Sequence, residues 1–208
     1  MGYYVSIHLD NPQPKQVQNA VKVLMDGGIA IIPTDTVYAL ACDYKNSKAM
    51  ERMAQLKGMQ ASKTKFSFLF KDLSHVSEYT KQFDTPTYKL LKRALPGPYT
   101  FILEASNTLA KTFKNKKKTV GIRVPANNIV KELCDRLGSP LAVTSLLSED
   151  EIMEYPTDAT LIYDEFKDLV DVVIDGGIGG LIPSTIINLT GYEPEIIREG
   201  LGKTEHLI

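Results

Sequence analysis

Residues 27–40, GGIAIIPTDTVYAL, decide the reading of the fold. A Gly-Gly pair closes one element, residues 29–33 form a short apolar run with the character of a buried strand, and the polar turn Thr34-Asp35-Thr36 follows before Tyr38. A buried strand that ends in hydroxyls and a carboxylate suits the crevice an open α/β sheet builds beyond its strand ends. The same residues also suit an ordinary strand-to-turn connection in which the aspartate caps the turn. Alone, the stretch supports both readings.

Outward from it, helices and strands alternate. Val17, Ala20, Val21 and Leu24 have helical spacing between an Asn11-Pro12 start signal and the Gly27-Gly28 stop. Ser47 is placed to cap a helix whose apolar face holds Met50, Met53, Ala54 and Leu56. A strand over 66–70 precedes helices over 73–83 and 85–95, and Pro96-Gly97-Pro98 then forbids further helix. Strands are predicted over 99–105, 119–124 and 140–145, with a helix over 129–137. A helix over 161–169 and strands near Val172, Ile186 and Ile196 complete the chain. Short apolar strands between helices predict an α/β fold with a helix-covered sheet, and the late cluster of strands makes that sheet mixed.

At 208 residues, 43% hydrophobic and 24% charged, the chain has the size and composition of one globular domain over 1–208. A net charge of −1 sets up no global field toward nucleic acid or membrane, so any polyanion site is a local patch. The start lacks a basic, apolar leader, and no run approaches the roughly 18 apolar residues of a spanning helix. These features predict a cytoplasmic protein without membrane contact. Cys42 and Cys134 lie among apolar neighbours and read as small buried hydrophobes. His8, His75 and His206 share no metal-ligand spacing, so no metal site is expected, and no G-x-S-x-G elbow occurs.

Polar groups interrupt this apolar scaffold at strand ends: Thr34, Asp35 and Thr36; Lys57 after the second helix; Arg123 inside GIRVP; Thr144 and Ser145; Ser184 and Thr185; and Arg198. Half-exposed strands carry single polar residues routinely. Several hydroxyls and cations together fit a shared anion-binding crevice, with arginine forks for carboxylate or phosphate and lysine as a point charge.

PTDTVYAL, Pro-Gly-Pro-Tyr-Thr at 96–100, VGIRVP at 120–125, PLAVTS at 140–145, PSTIINL at 183–189 and IIREG at 196–200 occur in the order of the YrdC/Sua5/YciO family. The resemblance runs from about residue 10 to 203, and the opening and closing segments are most similar to the YciO branch. It implies a YrdC-like twisted open mixed sheet with helices on its faces and a positively charged concave surface. It further implies a single YrdC-like domain without the C-terminal domain of the longer Sua5 form. The implied activity is L-threonylcarbamoyladenylate synthesis from L-threonine, bicarbonate or CO2, and ATP with Mg²⁺, for the t6A modification of tRNA. Positioning and charge neutralisation would supply catalysis, and no covalent enzyme intermediate is needed.

By the same resemblance, Thr36 and Ser184 match residues facing threonine, and Arg123 matches the arginine that pairs its carboxylate. Lys57, Ser145, Arg198 and Thr119 match positions on the nucleotide side; Lys57, Arg123 and Ser145 form the implied catalytic set. Two departures stand out. Lys57-Gly58-Met59 lacks the arginine of the family's Lys-x-Arg, and Ser145-Leu146-Leu147 lacks the asparagine of its Ser-x-Asn. Lys63 or Lys65 could substitute sterically for the missing arginine, and the acidic Glu149, Asp150, Glu151 and Glu154 would repel triphosphate if folded over the pocket. The expected activity is therefore weakened. The alternative is a tRNA- or double-stranded-RNA-binding protein that uses the basic run Lys114, Lys116, Lys117 and Lys118 for backbone contact.

Overall fold

Proline and an apolar stripe start the first helix: α1 (Pro14–Met25) opens on Pro14 and buries Val17, Ala20, Val21 and Leu24. Its boundary falls after Gln13, so Asn11-Pro12 lies ahead of the helix rather than at its cap. In chain order the remaining elements are β1 (Tyr3–Ser6), β2 (Ala30–Ile32), β3 (Ala39–Asp43), α2 (Ser47–Leu56), β4 (Ser67–Leu69) and a 3₁₀ turn at Leu73–Glu78. There follow α3 (Thr85–Ala94), β5 (Tyr99–Glu104), β6 (Thr119–Arg123), α4 (Asn128–Leu137) and β7 (Leu141–Ser145). The last elements are α5 (Ala159–Phe166), β8 (Val172–Asp175), β9 (Thr185–Asn188) and β10 (Glu195–Arg198). The computed structural model describes residues 1–60, 64, 66–107, 109, 119–146, 156–205 and 207. Lys63, Lys65, Leu147, the acidic run from Glu149, the lysines from Lys114 to Lys118, and His206 lie outside the described residues.

Three expectations are corrected. Asn46 caps α2, its side chain accepting from Ala49 N, and Ser47 is the first helical residue. The helix expected over 73–83 is the short 3₁₀ turn, whose start is held by Asp72 accepting from Ser74 N. Strands β1 and β3 were not expected. β3 is ALACD, apolar on both sides and nearly all buried, so it shows no period-two alternation.

Ten strands form one open sheet in the order β1-β8-β2-β3-β7-β4-β6-β5-β9-β10. Parallel pairs (β1/β8, β2/β8, β4/β6 and β5/β9) mix with antiparallel ones (β2/β3, β3/β7, β4/β7, β5/β6 and β9/β10). Alternation along the strands sends residues to two faces. On the first face, Ile31, Leu40, Phe68, Ile122 and Phe101 pack with Met53 of α2, Leu91 of α3 and Ile162 of α5. On the second face, Ala30, Ala41, Leu69 and Leu141 pack beneath α1 and α4.

That second cluster contains no residue of β6, β5, β9 or β10. The residues of those strands on that face are mostly small or polar (Thr119, Gly121, Arg123, Thr100 and Arg198), with Ile102 and Ile186 half-buried among them. Gly121 sits between Ser67 and Thr100, since a Cβ there would press on both side chains. Among the described residues, half of one sheet face has no apolar helix cover, and Arg123 lies on it.

Candidate active site

The turn after β2 is built by its own hydroxyls. Thr34 Oγ1 donates to Val37 O at 2.7 Å and accepts from Thr36 N at 3.1 Å. A hydroxyl has one proton, so in the 3.1 Å contact between Thr34 Oγ1 and Thr36 Oγ1 the donor is Thr36. Thr36 Oγ1 itself accepts from Arg123 Nη2 at 3.0 Å. Protons therefore point one way, from Arg123 through Thr36 and Thr34 to Val37 O. Thr36 can offer a ligand only an acceptor.

Arg123 ends β6 on the open face, where a buried cation needs a partner. It finds Asp35: Nη2 donates to Asp35 Oδ1 at 2.7 Å, and both side chains are only 8% exposed. Asp35 Oδ2 accepts from Ala126 N at 3.0 Å, which ties the turn to the start of α4. Both Nη2 protons are thereby used. Nε, also buried, has no hydrogen-bond partner among the described residues. Burial pulls the Arg123 pKa down and Asp35 works to hold it up, while the nearby Arg198 lowers it further.

Register explains that proximity. Phe101 pairs with Ile122, so the next antiparallel step sets Thr100 opposite Arg123. Thr100 pairs with Ile186, and Ile186 pairs with Arg198. One row across β6, β5, β9 and β10 thus carries both arginines. Ser184 joins it through a 2.8 Å contact between its hydroxyl and that of Thr100. Arg198 fixes the Ser184 carbonyl with Nε at 3.3 Å and Nη2 at 2.8 Å.

Ser145 and Thr119 lie toward the other end of their strands from Arg123, and Ser145 pairs with Ala39, three residues after Thr36. Lys57 follows α2, and its Nζ donates to Leu146 O at 3.1 Å, beside Ser145. Val143, Ser67 and Gly121 share a row, and Ser145 and Thr119 each lie two residues beyond it in the same direction. The four steps from Thr119 to Arg123 span about 13 Å at the usual strand rise. Thr119, Ser145 and Arg123 share this face, and the Thr100 row adds Ser184 and Arg198. Thr36 comes in on the turn before β3, and Lys57 follows α2, which packs on the first face, and reaches Leu146 O. Arg198, expected with the nucleotide set, stands in the row of Arg123.

Sequence reasoning noted Asp35 but gave it no site role, and it passed over Thr100, Tyr38 and Gly180. The available signal was charge: one carboxylate and one cation, each set among apolar residues, call for one another. Tyr38 is buried, and its hydroxyl donates to Gly177 O at 2.7 Å and accepts from Gly176 N at 3.2 Å. Burial pushes its pKa up to about 12, which keeps the donor protonated. Gly180 N donates to Thr36 O at 2.7 Å. A separate cavity of about 110 Å³, lined by Lys71, His75, Tyr79 and Asp135, includes none of the site residues.

The profile of the Sua5/YciO/YrdC family, which carries the description telomere recombination, matches residues 22–200. The chain is 37% identical over 204 residues to the protein YciO of Escherichia coli K12, covering 97% of each. The crystal structure of E. coli YciO superposes with a TM-score of 0.91 at 35% identity, over the whole of both chains. The threonylcarbamoyl-AMP synthase of Mus musculus is 34% identical over 161 residues, which is 76% of this chain and 54% of the synthase. Sua5 of Pyrococcus abyssi, solved with L-threonine, gives a TM-score of 0.84 at 24% identity over 95% of this chain and 57% of that one. At that identity the likeness to Sua5 is one of fold.

Proposed function

Because this chain belongs to the Sua5/YciO/YrdC family, we propose that it forms threonylcarbamoyl-AMP and pyrophosphate from L-threonine, bicarbonate or CO2, and ATP, for tRNA t6A modification. The observation that carries the reading is the buried Arg123 Nε, a donor of a permanent cation with no partner among the described residues. A ligand carboxylate satisfies it, and the acceptor at Thr36 lies alongside. The name of the mouse relative and the threonine held by the Pyrococcus protein support the same assignment.

The residues suit a reaction run by positioning. Arg123 and Ser184 hold the amino acid, and its amine adds to CO2, losing a proton, to give a carbamate. A carbamate oxygen attacks the α-phosphorus of ATP, and pyrophosphate leaves. Lys57, Ser145 and Thr119 hold the nucleotide, and Arg198, in the row of Arg123, adds positive charge beside the amino acid. No enzyme nucleophile takes part: burial raises the pKa of Cys42 and pushes the Cys134 thiol up to about 12. Among the described residues no group of three His, Cys, Asp or Glu converges to hold a metal ion, and the Mg²⁺ of this reading would enter bound to the triphosphate.

Met59, 42% exposed, stands where the family has arginine, and the asparagine position is Leu147. A missing charge-assisted bond to phosphate costs ~1.5–3 kcal/mol, roughly ten- to a hundredfold in affinity. The synthase proposed here is accordingly weak on its nucleotide side. No helix among the described residues is long and apolar enough to cross a membrane, and the reading places the protein in the cytoplasm as a single domain.

The test is threonine-dependent pyrophosphate release from a mixture of protein, ATP, bicarbonate and threonine. Absence of turnover together with salt-sensitive tRNA binding would replace this reading with that of an RNA-binding protein.

A further inference from the structure

Asp35 is a carboxylate placed where an incoming carboxylate is expected. It neutralises Arg123 at 2.7 Å, and a second bond from Ala126 N holds it in position. An arginine usually grips a carboxylate through two parallel N–H bonds. Here both Nη2 protons already serve Asp35 and Thr36, and only Nε is open on that edge. A ligand carboxylate on Nε therefore sits within a few ångströms of the Asp35 charge, and like charges at that range repel. A plain carboxylate meets that repulsion without compensation.

An α-amino acid does not. Its ammonium is two bonds from its carboxylate carbon and carries three protons. Asp35 and Thr36, both bonded to the adjacent Nη2, keep lone pairs that can accept from it. Resting on the amino-acid reading of Arg123, we infer that Asp35 is a specificity-determining residue that makes this end of the face select zwitterions over simple carboxylates. Arg123 takes the anionic end, and Asp35 with Thr36 takes the cationic end. The second arginine in the row, Arg198, sharpens the need for Asp35. Without that aspartate the row is doubly positive and open to any small anion.

Calorimetry on the full chain, with L-threonine and with (R)-3-hydroxybutyrate, which is threonine without its amine, tests this. Wild type should prefer threonine by about tenfold or more, the scale of a lost charge-assisted bond. Asp35→Asn should lose threonine affinity while 3-hydroxybutyrate binds as well as before or better, so that the ratio collapses toward one. A merely structural Asp35 would weaken both ligands alike, and an unchanged ratio overturns the inference. Should Asp35→Asn not fold, Asp35→Ser retains an acceptor for Ala126 N and gives the same ratio test. Equal binding of the two ligands by wild type, or no threonine binding at all, also overturns it. Threonine binding without threonine-dependent pyrophosphate release defeats the synthase reading and leaves this inference standing.

Discussion

Gly180 donates its N–H to the carbonyl of Thr36 at 2.7 Å, and a Cβ on Gly180 would fall well inside van der Waals contact with that same oxygen. The glycine at 180 therefore sets how closely the 176–183 segment approaches the turn that carries Thr36. Gly180→Ala must push the turn away, and overpacking of this kind costs about 1–3 kcal/mol. Thermal unfolding should show the loss, and calorimetry should show weaker threonine binding. Wild-type values in both would mean the turn tolerates the shift.

Arg123→Ala should abolish threonine binding. It also strands Asp35 as a buried charge, and breaking such a pair typically costs about 3–5 kcal/mol. Arg123→Ala with Asp35→Asn should recover much of that stability without recovering binding. Unchanged threonine affinity in the double variant would remove Arg123 from the site.

The threonine and nucleotide groups of the site should separate by mutation. Lys57→Ala is expected to weaken nucleotide binding about ten- to a hundredfold, as for a lost charge-assisted bond, and to leave threonine affinity alone. Ser184→Ala should do the reverse, because its hydroxyl is shared with Thr100 beside Arg123. Titrations of each ligand alone check this, and equal losses of both ligands in either variant would contradict a divided site.

Met59→Arg combined with Leu147→Asn restores the family's residue types at both departures and should raise synthase turnover. Met59 is exposed, so an arginine there buries no charge. Leu147 lies outside the described residues. A rate no higher than wild type would mean that the nucleotide side has diverged beyond these two positions.

Away from the site, Asp72 should titrate near pH 2. Partial burial works to raise its pKa, but hydrogen bonds from Ser74 and His75 outweigh it and bring the value down to about 2 from 3.8. A carboxyl depressed in the folded state contributes stability that is present above its ordinary value and lost as pH falls through the folded one. NMR titration of the Asp72 side chain checks the value. An inflection near pH 4 would show that Ser74 and His75 do not hold it.

Legibility followed locality. The apolar stripe of α1 and the proline-glycine break after α3 are written in neighbouring residues, and the structure bears out both. The two cysteines, read as small hydrophobes among apolar neighbours, are buried. β3 escaped because all but its last residue are buried, so its pattern matches the turn residues Val37 and Tyr38 before it. The helix expected over 73–83 shrank to a 3₁₀ turn because Asp72 caps it tightly and Tyr79 closes it after a few residues.

The sequence by itself determined the kinds of residue available to the site and most of the elements that carry them, since spacing, punctuation and side-chain chemistry act over a few residues. Only the tertiary structure decided that Arg123 faces Asp35 across 88 residues of chain and that Arg198 shares its row. It alone decided that Lys57 reaches Leu146 O, next to Ser145. Those relationships depend on strand register and on which half of a sheet face the helices cover. Both are set by contacts between segments far apart in the chain, which no local pattern encodes.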